Sequence, residues 1–304
     1  MKISVVLPAY NEGRGLSRIV GAIADHITGL GYEPEVIVID DGSTDETWTV
    51  LIALHEQGQI SQAVRFSRNF GKEAALAAGL DRVSGEAVII LDADFQHPPA
   101  LIRHMLEIWR SERVDVVEAI KSQRAQPSLF RKIGANVFYM AFALGVHAPV
   151  EEMTDFKLLD KKVVAAWRRL GETHLFFRGL TAWLGFTHRK IFFEVPNTVS
   201  RRSRWPAWKL TSYAVNAITA FTTLPLLFAA LAGGLLAVPT AFLLIRACYR
   251  SLINAPPDDT SLVLMAVFLV GSLILFCLGI IGLYLSQMYF EIKKRPRYVV
   301  ADQR

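Results

Sequence analysis

Short apolar runs, each closed by proline, glycine or acid, alternate with stretches of helical periodicity along the first half of the chain. Residues 3–7 read as a strand ended by Pro8, and a helix follows over 15–26. Residues 35–40 form a second strand that empties into Asp41, Gly42 and Ser43. Ser43 with Glu46 three residues on has the form of a capping box, which predicts a helix starting there. A third strand covers 63–66, an alanine-rich helix 72–83, and a fourth strand the residues before Asp92. Residues 115–119 add a fifth strand, 155–160 a short one with a helix behind it, and 188–195 alternate as a strand at the sheet's far side. Strands alternating with helices predict an α/β fold with a mostly parallel, right-handed crossover sheet.

From 128 to 145 the pattern changes. Phe130, Ile133, Val137, Phe138, Ala141 and Phe142 recur at helical spacing beside Arg131 and Lys132, which suits a helix on a membrane surface or a core helix of the same domain. Two uncharged apolar spans follow, over 221–245 and 262–285, roughly 25 and 24 residues and each long enough to cross a bilayer. Pro225, Gly233, Gly234 and Pro239 would damage a soluble helix and are tolerated in a membrane one. Arg201, Arg202, Arg204 and Lys209 precede the first span, and Lys293, Lys294, Arg295 and Arg297 follow the second. That bias predicts a large cytosolic domain over 1–205, a juxtamembrane amphipathic helix over 206–220, a two-helix transmembrane hairpin over 221–285 and a basic cytosolic tail over 286–304.

Composition agrees with a membrane protein: 52% of residues are hydrophobic, and the mean hydropathy is +0.31. The net charge of +5 suits an anionic membrane surface or a phosphate ligand better than nucleic acid. The two cysteines, Cys248 and Cys277, sit inside apolar runs and indicate no disulfide framework. The opening residues do not read as a signal peptide, because the apolar run is short and leads into Tyr10, Asn11 and Glu12.

The strand over 88–91 delivers Asp92, Asp94 and Gln96 to its carboxyl end, and Pro98 and Pro99 then forbid further pairing. Oxygen ligands on alternate residues suit a hard cation, Mg²⁺ or Mn²⁺, although acids after a strand also form ordinary polar turns. Asp40 and Asp41 end another strand, and taken alone they read first as a turn and helix cap. Two acid clusters at one sheet edge repel unless a cation or a set of donors lies between them. A nucleotide sugar with a divalent ion satisfies both: the first cluster accepts from uracil or ribose donors, and the second holds the ion on the diphosphate. Lys72, after Gly71 at a helix start, reads as a solvated side chain.

Val36-Ile-Val-Ile-Asp-Asp-Gly-Ser43, Phe66-Ser-Arg-Asn-Phe-Gly-Lys-Glu-Ala-Ala-Leu76 and Leu91-Asp-Ala-Asp-Phe-Gln-His-Pro-Pro99, in this order, resemble inverting nucleotide-sugar glycosyltransferases of the GT-A fold. With Asp155-Phe-Lys-Leu-Leu-Asp160, Arg178-Gly-Leu-Thr-Ala-Trp-Leu-Gly-Phe186 and the apolar hairpin, nearly the whole chain resembles the polyprenyl-phosphate branch, which includes bactoprenol glucosyltransferases and dolichol-phosphate mannose synthases. The resemblance implies a nucleotide-sugar pocket at Pro8, Ala9, Tyr10, Glu12 and Asp41, with Asp40 and Asp92 beside it. It implies a metal and diphosphate site at Asp92, Asp94 and Gln96, and catalytic acids at Asp94 and Asp155. Lys121, Arg124 and Arg131, with Ser203 and Arg204 on a closing loop, match its acceptor-phosphate set. Thr198 and Val195 stand where relatives carry arginine, Arg201 where they carry glycine, and His97 where they carry an acid.

The implied reaction moves one hexose, from UDP-glucose in the first instance, to a polyprenyl phosphate such as undecaprenyl phosphate at the cytosolic face of the inner (plasma) membrane. The alternatives are a GDP-mannose-dependent dolichyl- or polyprenyl-phosphate mannose synthase and a non-catalytic nucleotide-binding membrane scaffold. A homo-oligomer, a tetramer, and a flippase partner are compatible with that reading. A processive synthase is disfavoured, since the chain lacks a Gln-x-x-Arg-Trp segment. A lipid phosphate is already ionised at neutral pH, so it needs aiming by arginines more than deprotonation. Asp155 is then expected to orient groups or to stabilise positive charge at the anomeric carbon.

Overall fold

A computed structural model describes residues 1–93, 98–122, 154–172, 176–193 and 260–304, together with scattered positions between 225 and 253. The chain divides into two compact units: residues 1–139, 146–206 and 295–304 form the first, and 140–145 with 207–294 the second.

In the first unit, β1 (Lys2–Ala9), α1 (Gly13–Thr28), β2 (Glu33–Asp40), α2 (Thr47–Glu56), β3 (Gln62–Phe66), α3 (Lys72–Leu80) and β4 (Ala87–Ile90) alternate as the sequence pattern requires. Then come α4 (Leu101–Glu112), β5 (Val116–Lys121), β6 (Lys157–Asp160), α5 (Lys161–Trp167), α6 (Phe177–Trp183) and β7 (His188–Phe193). The strands form one eight-stranded sheet in the order β7-β5-β6-β4-β1-β2-β3-β8, where β8 is Val300–Gln303. β6 and β8 run antiparallel to their neighbours and the remaining pairings are parallel.

The central strands are buried on both faces, which is why Val36-Ile-Val-Ile39 is an unbroken β-branched run rather than an alternating one. On one face, α1 buries Leu16, Ile19, Val20, Ile23 and Ile27 at helical spacing against Ile3, Val5, Leu7, Val36 and Val38. On β1 and β2 also packs α3, whose alanine-rich sequence allows a close approach.

Two expectations are corrected in this unit. The capping box at Ser43 and Glu46 does not form: α2 begins at Thr47, with no side-chain cap. Ser43 instead accepts a hydrogen bond from the Asn11 amide at 2.9 Å, so tertiary contact with the β1 loop outcompetes the local cap. Nor is the segment after 286 simply a basic tail. Residues 300–303 are β8, paired antiparallel to β3, where they cover an edge that would otherwise be open. Tyr298 stacks on Phe66 at 4.8 Å between ring centroids. Arg297 donates to the carbonyls of Leu170 and Glu172 at 2.7 and 2.9 Å.

The second unit contains α7 (Thr260–Lys293), of which Leu269–Lys293, 25 residues with a mean hydropathy of 2.3, is apolar and long enough to cross a bilayer. At 1.5 Å per residue that stretch spans about 37 Å. Ile274, Leu275, Phe276 and Leu278 are all more than half exposed, so this helix is apolar all round. The described positions between 225 and 249 are helical, and the Cys277 thiol lies 3.7 Å from the Ala229 carbonyl. The amphipathic segment 128–145 and the juxtamembrane segment 206–220 lie outside the described residues.

Candidate active site

The site is built by strand register. Ile90, the last residue of β4, pairs with Lys157, the first residue of antiparallel β6. Asp92, just past one strand, and Asp155, just before the other, therefore emerge side by side at the carboxyl edge of the sheet. Two carboxylates so placed repel; at an effective dielectric of about 20, like charges ~4 Å apart cost about 4 kcal/mol. Lys72 resolves the conflict. Its Nζ lies 2.6 Å from Asp92 Oδ1 and 2.7 Å from Asp155 Oδ2. The expectation of a solvated Lys72 is thus overturned: the ammonium is the bridge between the two acids.

A second cation reaches Asp155 from the other side. Arg178, on α6, donates from Nε and Nη2 to the two carboxylate oxygens at 2.6 Å each. Burial opposes the charge on Asp155, but the Arg178 fork and the Lys72 ammonium outweigh it and hold the carboxyl well below the usual carboxylate range. An acid so held stays ionised at neutral pH. Burial likewise works against the Lys72 ammonium, and Asp92 and Asp155 raise its pKa in spite of it.

α6 is tied to the site at two further points. The Phe177 amide, at the start of this helix, donates to Glu73 Oε2 at 2.8 Å. Thr181 accepts from Lys157 at 2.7 Å, and the buried Lys157 ammonium pairs with Glu118 at 2.7 Å. Burial pushes the Glu73 carboxyl up to about 7, and the charge on Asp155 adds to the rise against the Phe177 hydrogen bond.

Gly71 and Asp41 deliver Lys72 to this position. Asp41 accepts from the amides of Phe70 at 2.7 Å and Gly71 at 2.9 Å, which fixes the turn before α3. Gly71 there adopts φ 97°, ψ 157°, a region open essentially to glycine alone. Gly42, at φ 69°, has the backbone of Arg68 where a Cβ would lie, so the acid turn and the Lys72 loop pack without room for a side chain. Burial pushes the Asp41 carboxyl up, against the two amide hydrogen bonds.

The loops after β1 and β2 are stitched together. The Asn11 amide donates to Ser43, Asn11 Oδ1 accepts from the Thr44 amide at 2.9 Å, and the Glu12 amide donates to Thr47 Oγ1 at 3.0 Å. Pro8 and Ala9 end β1 beside them, and Tyr10 is nearly half exposed. Asp40, expected beside the nucleotide, is fully buried. It accepts from the Ser43 amide at 2.9 Å and lies 3.4 Å from Arg65 Nε, so its carboxylate holds the turn from within and is not presented to a ligand. Lys121 ends β5 at the same sheet edge.

Among the expected site residues, Asp94, Gln96, Arg124, Arg131, Ser203 and Arg204 lie outside the described residues. Among the described residues no three His, Cys, Asp or Glu side chains gather as a metal site. The described part of the expected ligand set nevertheless suits a hard divalent ion: Asp92 offers oxygen, and its carboxylate already attracts a cation in the form of Lys72. Lys72, Glu73 and Arg178 were not singled out by sequence reasoning as site residues. The signals were present in the Phe-Gly-Lys-Glu and Arg-Gly-Leu-Thr segments, but the contacts that give them meaning join residues 83 and 23 positions apart.

A mostly parallel α/β sheet with acids gathered on its carboxyl edge is the architecture of a GT-A nucleotide-sugar glycosyltransferase. Solved structures agree on the fold. Glucosyl-3-phosphoglycerate synthase from Mycobacterium tuberculosis, with Mn²⁺, UDP and phosphoglyceric acid, superposes with a TM-score of 0.53 at 20% identity, over 72% of this chain and 76% of that one. The same enzyme with Mg²⁺ and UDP gives 0.50 at 21% identity, over 72% and 77%.

Residues 4–138 match the model of glycosyl transferase family 2. The chain is 32% identical to the SfII prophage-derived bactoprenol glucosyl transferase of Shigella flexneri, over 99% of this chain and 97% of the relative. It is 34% identical to a glycosyltransferase of Synechocystis, sll0501, over 99% and 95%, and 32% identical to the putative glycosyltransferase CsbB of Bacillus subtilis, over 99% and 91%. The chain belongs to glycosyl transferase family 2.

Proposed function

We propose that the protein transfers a single hexose, glucose from UDP-glucose, to a polyprenyl phosphate such as undecaprenyl phosphate, with inversion, at the cytosolic face of the inner membrane. The observation that carries this reading is the pairing of Asp92 and Asp155 at the sheet edge, with Asp155 held ionised by Arg178 and Lys72. Full-length similarity to bactoprenol glucosyl transferases supports the lipid acceptor, and the apolar Leu269–Lys293 stretch supports a membrane location.

In this reading Pro8, Ala9, Tyr10, Glu12 and Asp41 surround the nucleotide. Asp92, with Asp94 and Gln96, holds Mg²⁺ or Mn²⁺, which when bound neutralises charge on the departing diphosphate. Asp155 presents a fixed negative charge near the anomeric carbon and steadies the positive charge that develops there. Lys121, Arg124, Arg131, Ser203 and Arg204 hold and aim the acceptor phosphate, whose oxygen is already a nucleophile and needs no base. The first apolar span, over 221–245, completes a hairpin with α7, with both termini in the cytosol. A tetramer and a flippase partner are consistent with that placement.

The test is a panel of radiolabelled UDP-glucose, UDP-galactose and GDP-mannose offered to the detergent-purified protein with undecaprenyl or dolichyl phosphate. Labelled undecaprenyl-phosphate glucose as the main lipid product is expected. Transfer only from GDP-mannose would replace the donor assignment, and no lipid product from any donor would remove the acceptor assignment.

A further inference from the structure

We propose that Lys72 is a positioning residue of the transfer site, a built-in counter-ion that spans Asp92 and Asp155 and that a divalent ion displaces from Asp92. The proposal rests on the metal-dependent transferase reading above and adds a residue and a competition to it.

The geometry argues for a built device. Lys72 Nζ sits 2.6 Å from one acid and 2.7 Å from the other, both charge-assisted distances. Its backbone is delivered by a glycine-only conformation at Gly71, itself pinned by the Asp41 carboxylate through the amides of Phe70 and Gly71. A lysine that merely covered surface would need neither a strained glycine nor a buried acid behind it. The Lys72 side chain is about a third exposed, with 36% of its surface accessible, so solvent and an incoming ion can reach it.

Asp155 keeps Arg178 whatever Lys72 does, whereas Asp92 is the carboxylate that the divalent ion needs. An ammonium on Asp92 and a divalent ion on the same carboxylate compete, because the two positive charges repel each other at that distance. Ion entry therefore frees the ammonium from Asp92 and leaves it with Asp155. The lysine keeps the two acids together before the ion arrives, and its departure from Asp92 couples ion binding on the donor side to the electrostatics of Asp155 at the transfer point.

The experiment is titration of the full-length protein in detergent with Mn²⁺, read by electron paramagnetic resonance, with and without UDP, for wild type, K72M, K72Q and K72R. Without UDP, K72M and K72Q are expected to bind Mn²⁺ about tenfold more tightly than wild type, because the competing charge is gone. K72R, which keeps the charge, is expected to stay within a few-fold of wild type. In the transfer assay K72M is expected to lose kcat with little change in KM for the nucleotide sugar, and K72R to recover part of it. Equal or weaker Mn²⁺ binding by both K72M and K72Q, in a wild-type background that binds Mn²⁺ with UDP, would overturn the role of Lys72 alone. A wild-type protein that binds no Mn²⁺ with or without UDP would overturn the metal reading, and the displacement with it. K72Q answers the question if K72M does not fold.

Discussion

At the scale of single residues, the site depends on which carboxylates are charged. Asp155 receives both oxygens' worth of hydrogen bonds from Arg178 and a third from Lys72. D155N keeps the shape and removes the charge, so kcat is expected to fall at least about a hundredfold while UDP affinity stays within a few-fold of wild type. Steady-state kinetics and UDP calorimetry on the same preparation check this, and a loss confined to UDP binding would contradict it. Glu73 behaves in the opposite way. Its folded-state carboxyl titrates at about 7, above the unfolded value. Protonated Glu73 is tolerated in the fold at low pH, and ionising it costs stability as pH rises toward and through 7. E73Q is therefore expected to gain thermal stability relative to wild type between pH 5 and pH 8, and a difference that does not change with pH would contradict the assignment. Asp155 was singled out in the sequence, but its partners were not: Lys72 read as a solvated helix-start lysine, and Glu73 and Arg178 were quoted in motifs without a role. Their meaning comes from long-range contacts, and local pattern carries no information on those.

At the scale of elements, the alternation of strands and helices was legible because central strands buried on both faces must be apolar and β-branched throughout. The acids at the strand ends were legible for the same reason, since a polar residue closing such a run has to emerge at the edge. Two elements were not. The Ser43 cap has the right residues, but Asn11 takes its hydroxyl. β8 is short, polar in its second half and follows a basic stretch, so its pattern did not stand out as a strand. That strand and Tyr298 clamp β3, which leads straight into the Lys72 loop. Y298A is expected to destabilise the protein by about 1–2 kcal/mol through loss of the Phe66 stack and of the Arg82 hydrogen bond at 3.1 Å. A denaturant melt in detergent measures it, and no shift in midpoint would show that the segment does not clamp β3. G71A is expected to cost about 1–3 kcal/mol because alanine cannot hold that backbone conformation, and to lower kcat as Lys72 moves. Full activity in G71A would contradict the delivery of Lys72 by this turn.

At the scale of the whole molecule, sequence composition already pointed to a membrane protein, and Leu269–Lys293 is an exposed, predominantly apolar helix long enough to cross a bilayer. Of the expected acceptor set, Lys121 stands at the sheet edge, and Arg124, Arg131, Ser203 and Arg204 lie outside the described residues. Topology has its own test. With Cys248 and Cys277 replaced by serine, S251C is expected to be labelled by a membrane-impermeant maleimide from the outer side of intact cells, and labelling only after lysis would reverse the orientation. In the proposed reaction the hexose passes directly from the nucleotide to a lipid phosphate beside the fixed charge of Asp155. Its most direct measurement is single-turnover transfer of labelled glucose from UDP-glucose to undecaprenyl phosphate by purified wild type and D155N, with UDP occupancy verified in both. Labelled lipid is expected from wild type and almost none from D155N at equal occupancy. Equal transfer by the two proteins would contradict the proposal.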